Sequence, residues 1–101
     1  MNTLTRDEVL QVTGFDSLSG ANAGLFRELV RAKLAPQHRR VEVDMSRAAF
    51  MDSEGLGALV AIRARLKERG GRVELVGTPS QVRELLRLTG VDSLFEFLPS
   101  P

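Results

Sequence analysis

An α/β domain with mostly parallel strands is the fold class this sequence predicts. Three observations predict it. Short runs of alternating apolar residues recur along the chain, amphipathic helical runs separate them, and glycine or proline punctuates most junctions. The resulting order is β-α-β-α-β-α-β. Strands that alternate with helices imply parallel neighbours joined by right-handed crossovers.

Each element has its own signal. Glu8 to Thr13, EVLQVT, partly alternates and predicts a strand. Gly14 then opens a turn-rich stretch, GFDSLSG. From Ala21 to Leu34, the residues Leu25, Phe26, Leu29, Val30 and Leu34 recur at helical spacing, with Ser19 the expected N-cap and Pro36 the stop. In Arg40 to Met45, RVEVDM, the side chains Val41, Val43 and Met45 share one face and Glu42 and Asp44 the other.

A second helix is predicted over Ser53 to Arg69, with Leu56, Leu59, Val60, Ile62 and Leu66 on its apolar side. Asp52 and Glu54 complement the positive end of its dipole, and Gly70-Gly71 supplies the stop. Arg72 to Val76, RVELV, predicts a further strand. Thr78-Pro79-Ser80-Gln81 fits a capping box with proline at the first helical position. Val82, Leu85, Leu86 and Leu88 follow in a third helix that Gly90 ends, and Ser93 to Leu98, SLFEFL, reads as a last short strand or extended tail.

Composition narrows the function. At 101 residues the chain is expected to be one domain, residues 1–101, with its core in about 8–98. A net charge of +1 favours neither nucleic acid nor an anionic membrane. Five phenylalanines without tryptophan or tyrosine make a base-stacking surface unexpected. No segment approaches the roughly 18–20 apolar residues of a membrane span, and MNTLTRDEVL lacks the features of a secretory signal. The absence of cysteine removes disulfides, thiolate metal sites and cysteine nucleophiles, and it suits a cytoplasmic setting.

Few residues offer chemistry. The one histidine, His38, lies in PQHRR and reads as a solvated loop residue beside the solvated charges of Arg39 and Arg40. Gly55-Leu56-Gly57, Gly70-Gly71 and Gly77 fit neither a P-loop nor a dinucleotide fingerprint. Asp44, Asp52 and Glu54 are hard-cation ligand types. Asp52 or Ser53 as the helix cap, with Glu54 on the dipole, needs no metal. No cofactor, metal or catalytic residue is expected, and no enzyme activity. Phe50 and Met51 precede the acids: one apolar side chain can close the core and the other can flank a charged docking tip.

These residues also carry a resemblance. Val43-Asp44-Met45-Ser46, Phe50-Met51-Asp52-Ser53 and Gly55-Leu56-Gly57-Ala58-Leu59 resemble the core motif of STAS domains, and of bacterial anti-sigma factor antagonists in particular. The likeness continues through Arg69-Gly70-Gly71, Val76-Gly77-Thr78-Pro79 and Thr89-Gly90. It implies a single domain with a mixed, mostly parallel sheet of four or five strands and helices packed mainly on one face. It implies a non-enzymatic domain that binds a protein partner: an anti-sigma factor that is also a serine kinase with a histidine-kinase-like ATPase fold.

The kinase of that family phosphorylates the second hydroxyl residue of Asp-Ser-Ser/Thr-Gly. That position here is Glu54, so the charge is fixed, and Ser53 is the alternative acceptor. The partner-binding residues implied are Phe50, Met51, Asp52, Ser53, Glu54, Gly55 and Leu56, with Asp16 and Ser17 flanking. Gly55 is expected to admit a partner backbone. Other settings for such a domain are a stressosome subunit or the STAS subunit of a lipid-transport ABC complex.

Overall fold

The computed structural model describes residues 1–100. Its first element is one that the sequence reading does not contain. Strand β1, Asn2–Arg6, pairs antiparallel with β2, Val9–Thr13, across the two-residue turn Asp7-Glu8. Asp7 takes a φ of 53°, which aspartate tolerates better than most residues. With one leucine among polar residues, β1 lacks the apolar alternation that announces a buried strand.

Three parallel pairings follow. Strand β4, Arg40–Asp44, lies between β2 and β6, Arg72–Val76, and β7, Glu96–Leu98, lies beyond β6. The sheet order is β1-β2-β4-β6-β7. Helices α1 (Ala23–Lys33), α2 (Ser53–Glu68) and α3 (Ser80–Leu88) make the crossovers. Two short segments, β3 (Ser17–Leu18) and β5 (Phe50–Met51), form a separate parallel pair. The expected mixed, mostly parallel sheet of four or five strands is therefore present with five, the β1–β2 hairpin being its antiparallel part.

Period-two alternation places the core. Leu10, Val12, Val41, Val43, Val73 and Leu75 share the sheet face that meets the helices, and all are buried. Phe26 and Val30 of α1, Leu59, Ile62 and Leu66 of α2, and Val82 and Leu86 of α3 close on them. Each such side chain contributes about 1.5–3 kcal/mol on burial. No helix covers the opposite face. One row there runs Leu4, Gln11, Glu42, Glu74, Glu96, and the next Arg6, Val9, Arg40, Arg72. Glu74 is nearly buried in this face between Arg40, at 3.2 Å, and Arg72, at 3.1 Å. Arg40 is thus a structural partner rather than a solvated charge.

Several local expectations are corrected. Asn22, not Ser19, is the residue before α1. Its side-chain oxygen accepts from the Ser19 N–H, while the Ser19 carbonyl accepts from Asn22 and Ala23. The capping box at Thr78 does not form: Pro79 occupies the cap position, and the Thr78 hydroxyl is buried without a partner. Proline fixes the entry into α3 by its own φ, so the hydroxyl is not needed there. A single 3-10 turn, Asp92–Leu94, precedes β7. No helix of the described residues is long and apolar enough to cross a membrane.

His38 is the largest departure. It is 1% exposed, not solvated. Its Nδ1 accepts the Ala35 N–H at 2.8 Å, so the ring proton sits on Nε2, which is buried without a partner. Arg69 donates to the Ala35 carbonyl at 2.8 Å and stands close by. Burial, and then the Arg69 charge, hold His38 below the ordinary histidine value of 6.5. The unfolded chain therefore takes up a proton that the fold refuses. Stability contributed by neutral His38 is complete above about pH 6.5 and is lost as pH falls below it. Urea midpoints measured across that range should drop towards acid in the wild type, and His38→Gln should flatten that part of the dependence.

Candidate functional site

The stretch Phe50–Gly57 is a strand-to-helix junction, β5 running into α2. Pairing of β5 with β3 places Ser17 opposite Phe50 and Leu18 opposite Met51. Alternation then separates the two apolar residues: Met51 is buried in the core, and Phe50 is 58% exposed. Met51 is thus the side chain that closes the core, and Phe50 the one left in the open.

Asp52 organises the junction. Its Oδ1 accepts the backbone N–H groups of Glu54 and Gly55, each at 3.0 Å, and so caps α2. Its Oδ2 accepts the Gly20 N–H at 3.0 Å, from the loop ahead of α1. One carboxylate thus fastens two segments 32 residues apart. Hydrogen bonds from Gly20, then Gly55, hold its pKa below the ordinary carboxylate value. Asp52 as cap leaves the neighbouring Ser53 hydroxyl exposed at the first helical residue.

Glu54 stands exposed in the first turn of α2. It makes no ion pair among the described residues. Its carboxylate lies against the Cα of Gly20: a Cβ there would sit 3.0 Å from Oε1. The position allows a free negative charge at the positive end of the helix dipole.

Gly55 has a different role from the one expected. It is buried, and a Cβ on it would lie 1.9 Å from the Leu18 carbonyl oxygen. The backbone that approaches Gly55 is this chain's own, in β3. Gly57, two residues on, is exposed, and a Cβ there meets nothing within 4 Å. Leu56 is half-buried.

The flanking residues come to the same end. Asp16 is exposed and pairs with Arg47 at 3.0 Å, while its carbonyl accepts the Ala49 N–H. Ser17 is half-buried in β3 beside Phe50. Beyond Phe50, a shallow recess of about 100 Å³ lined by Ala49, Phe50, Met51, Gln81, Val82 and Leu85 links the tip to α3. Asp44 stays apart from the other two acids. Its Oδ1 accepts from the Ser46 hydroxyl at 2.6 Å and the Ser46 N–H at 3.0 Å. No group of three or more metal-ligating side chains is gathered among the described residues. Sequence reasoning missed Gly20 and Leu18, which contact the junction through backbone. The only signal for them is the glycine in a turn-rich stretch.

The family model for "Mlab, STAS domain" matches residues 3–99. The chain belongs to the STAS domain family. A STAS-domain containing protein of Pseudomonas aeruginosa strain UCBPP-PA14, PA14_20770, is 28% identical over 64 residues. That stretch is 63% of this chain and 63% of the relative, so the match spans less than two thirds of either. A Thermotoga maritima protein described as a candidate anti-sigma factor antagonist superposes with a TM-score of 0.87 at 24% identity, over 96% of this chain and 84% of that one. Unphosphorylated SpoIIAA, an anti-sigma factor antagonist, gives 0.79 at 19%, over 95% and 85%. The murine Slc26a9 anion transporter gives 0.80 at 24%, over 97% of this STAS domain but 17% of the transporter. These structures share the fold.

The two glycines of the motif should respond oppositely to a methyl group. Gly55→Ala forces Cβ into the Leu18 carbonyl and should cost about 3 kcal/mol or leave the chain unfolded. Gly57→Ala adds helix propensity in open space and should stabilise by about 0.5–1 kcal/mol. Urea unfolding followed by circular dichroism measures both.

Proposed function

We propose that this STAS domain is a non-enzymatic regulatory module that docks on a protein partner through Phe50, Ser53, Glu54 and the surface around them. Asp52, Met51 and Gly55 hold that tip in shape from beneath, and Asp16 and Ser17 extend it. The partner proposed is an anti-sigma factor that is also a serine kinase with a histidine-kinase-like ATPase fold, met in the cytoplasm.

Glu54 is the observation that carries the reading. The antagonist motif that this chain resembles has a hydroxyl residue at this place, and SpoIIAA has a phosphorylated as well as an unphosphorylated form. A phosphate brings about −1.5 to −2 charges at neutral pH, a carboxylate about −1. Glu54 is exposed, without an ion pair among the described residues, and lodged at a helix start. It supplies permanently, and more weakly, the charge that a kinase would install. A partner surface built for a neutral hydroxyl is repelled by it, and one carrying arginine or lysine is attracted. The domain then reads its partner without a phosphoryl switch at this residue.

A second reading has support in Ser53. Asp52 caps the helix, so the Ser53 hydroxyl is exposed and free of that duty. As an acceptor it would restore a switch one residue from the usual place. The transporter setting is favoured by the Mlab STAS family to which the chain belongs.

Wild type and Glu54→Ser, each incubated with an anti-sigma serine kinase and ATP, separate these readings by mass spectrometry. Glu54→Ser should be labelled at position 54 and the wild type not at all. Phosphate on Ser53 of the wild type overturns the fixed charge. Pull-downs of both proteins from native cytosol should retain a kinase-fold partner, more tightly or more loosely according to the charge. Recovery of an ATPase with a membrane permease instead would assign the transporter setting.

A further inference from the structure

The two edges of the five-stranded sheet are built differently. At one edge β7 is three residues long and Pro99 follows it, so it offers little to a further strand. At the other edge β1 spans Asn2–Arg6 with no proline, lysine or bulge, and among the described residues it pairs only with β2. Its single large apolar side chain, Leu4, is 56% exposed.

Hairpin geometry decides which groups face outward. In a hairpin with a two-residue turn, the residues flanking the turn form a hydrogen-bonded pair. Arg6 and Val9 flank this one. Arg6, Leu4 and Asn2 therefore aim their backbone N–H and C=O at β2, while those of Thr3 and Thr5 point away from the sheet.

We propose that β1 is a self-association edge, where two copies pair antiparallel about a two-fold axis through Leu4. The sequence Asn2-Thr3-Leu4-Thr5-Arg6 is self-complementary in that register. Leu4 meets Leu4 of the second copy as a non-hydrogen-bonded pair, the kind whose side chains lie closer. Thr3 meets Thr5 of the second copy, and each such pair exchanges both outward N–H···O=C bonds. Threonine pairs across strands are favourable in themselves. Arg6 meets Asn2 of the second copy, so no like charges oppose. The two sheets become one. Because the axis reverses strand direction, the two Phe50–Glu54 tips point opposite ways and stay free. A domain with one docking tip would thereby become a bivalent one, whatever the tip binds.

Cysteine substitution reads the register directly, since the chain contains no cysteine. Leu4→Cys puts its thiol on the axis, with the Cα spacing of a non-hydrogen-bonded pair, about 4.5 Å, inside the disulfide range. It should give a covalent dimer in high yield under mild oxidation. Thr5→Cys, one residue along and also exposed, faces Thr3 rather than itself and should give little. Sedimentation of the wild type at hundreds of micromolar should show a monomer–dimer equilibrium. Thr5→Pro, which removes an outward N–H, and Leu4→Lys, which leaves every hydrogen bond of the hairpin in place, should both abolish it with unchanged circular dichroism. A wild type that stays monomeric, equal cross-linking from both cysteines, or a dimer that survives Leu4→Lys would overturn the proposal.

Discussion

The contact on which the rest of the junction depends is backbone against backbone: Gly55 at the start of α2 against the Leu18 carbonyl of β3. Only a residue without Cβ lets the helix come this close. The closeness has consequences along the chain. It brings α2 to the two-stranded β3–β5 pair, which sets Phe50 outward and Met51 inward by alternation. It also brings the α2 start within hydrogen-bond reach of the loop before α1, where Asp52 receives the Gly20 N–H. Helix start, strand end and neighbouring loop thus form one rigid corner, held by a carboxylate and a missing methyl group.

That corner separates what supports from what is presented. Asp52, Met51 and Gly55 spend their groups inside the chain. Phe50, Ser53 and Glu54 spend theirs outside it. A residue of the second kind can change without loss of fold, and position 54 is such a place: its backbone is held by Asp52 whatever the side chain is. The one internal demand of Glu54 is room beside Gly20, where any Cβ would crowd its carboxylate. That carboxylate is the end of a flexible, exposed side chain, so it can swing away at little cost.

How much of this could be read from the residues follows from the kind of interaction involved. Period-two and helical spacing located β2, β4, β6 and all three helices, because their apolar faces are buried and burial writes a pattern. β1 wrote none: it lies at an edge, with Thr3 and Thr5 towards the helix side. His38 and Arg40 misled for a related reason. Polar residues read as solvated when the groups that close over or pair with them, Arg69 and Glu74, lie 31 and 34 residues away. The Phe-Met-Asp-Ser motif located the tip and the capping acid. It could not tell that Gly55 serves Leu18 and not a partner, since a backbone contact across 37 positions leaves no side-chain signature.

The same distinction explains the two glycines that bracket Leu56. Gly55 has an internal cause, a carbonyl oxygen less than a methyl group away. Gly57 has none: it is exposed, helical, and surrounded by open space. A helix-interior glycine costs about 1 kcal/mol relative to alanine. No contact among the described residues offsets that cost at position 57. The residue stands one turn below Glu54 on α2, beside the same tip, where a bare backbone offers close approach to another molecule. Gly55 thus carries the internal contact that sets the junction, while Gly57 leaves open helix surface one turn from Glu54.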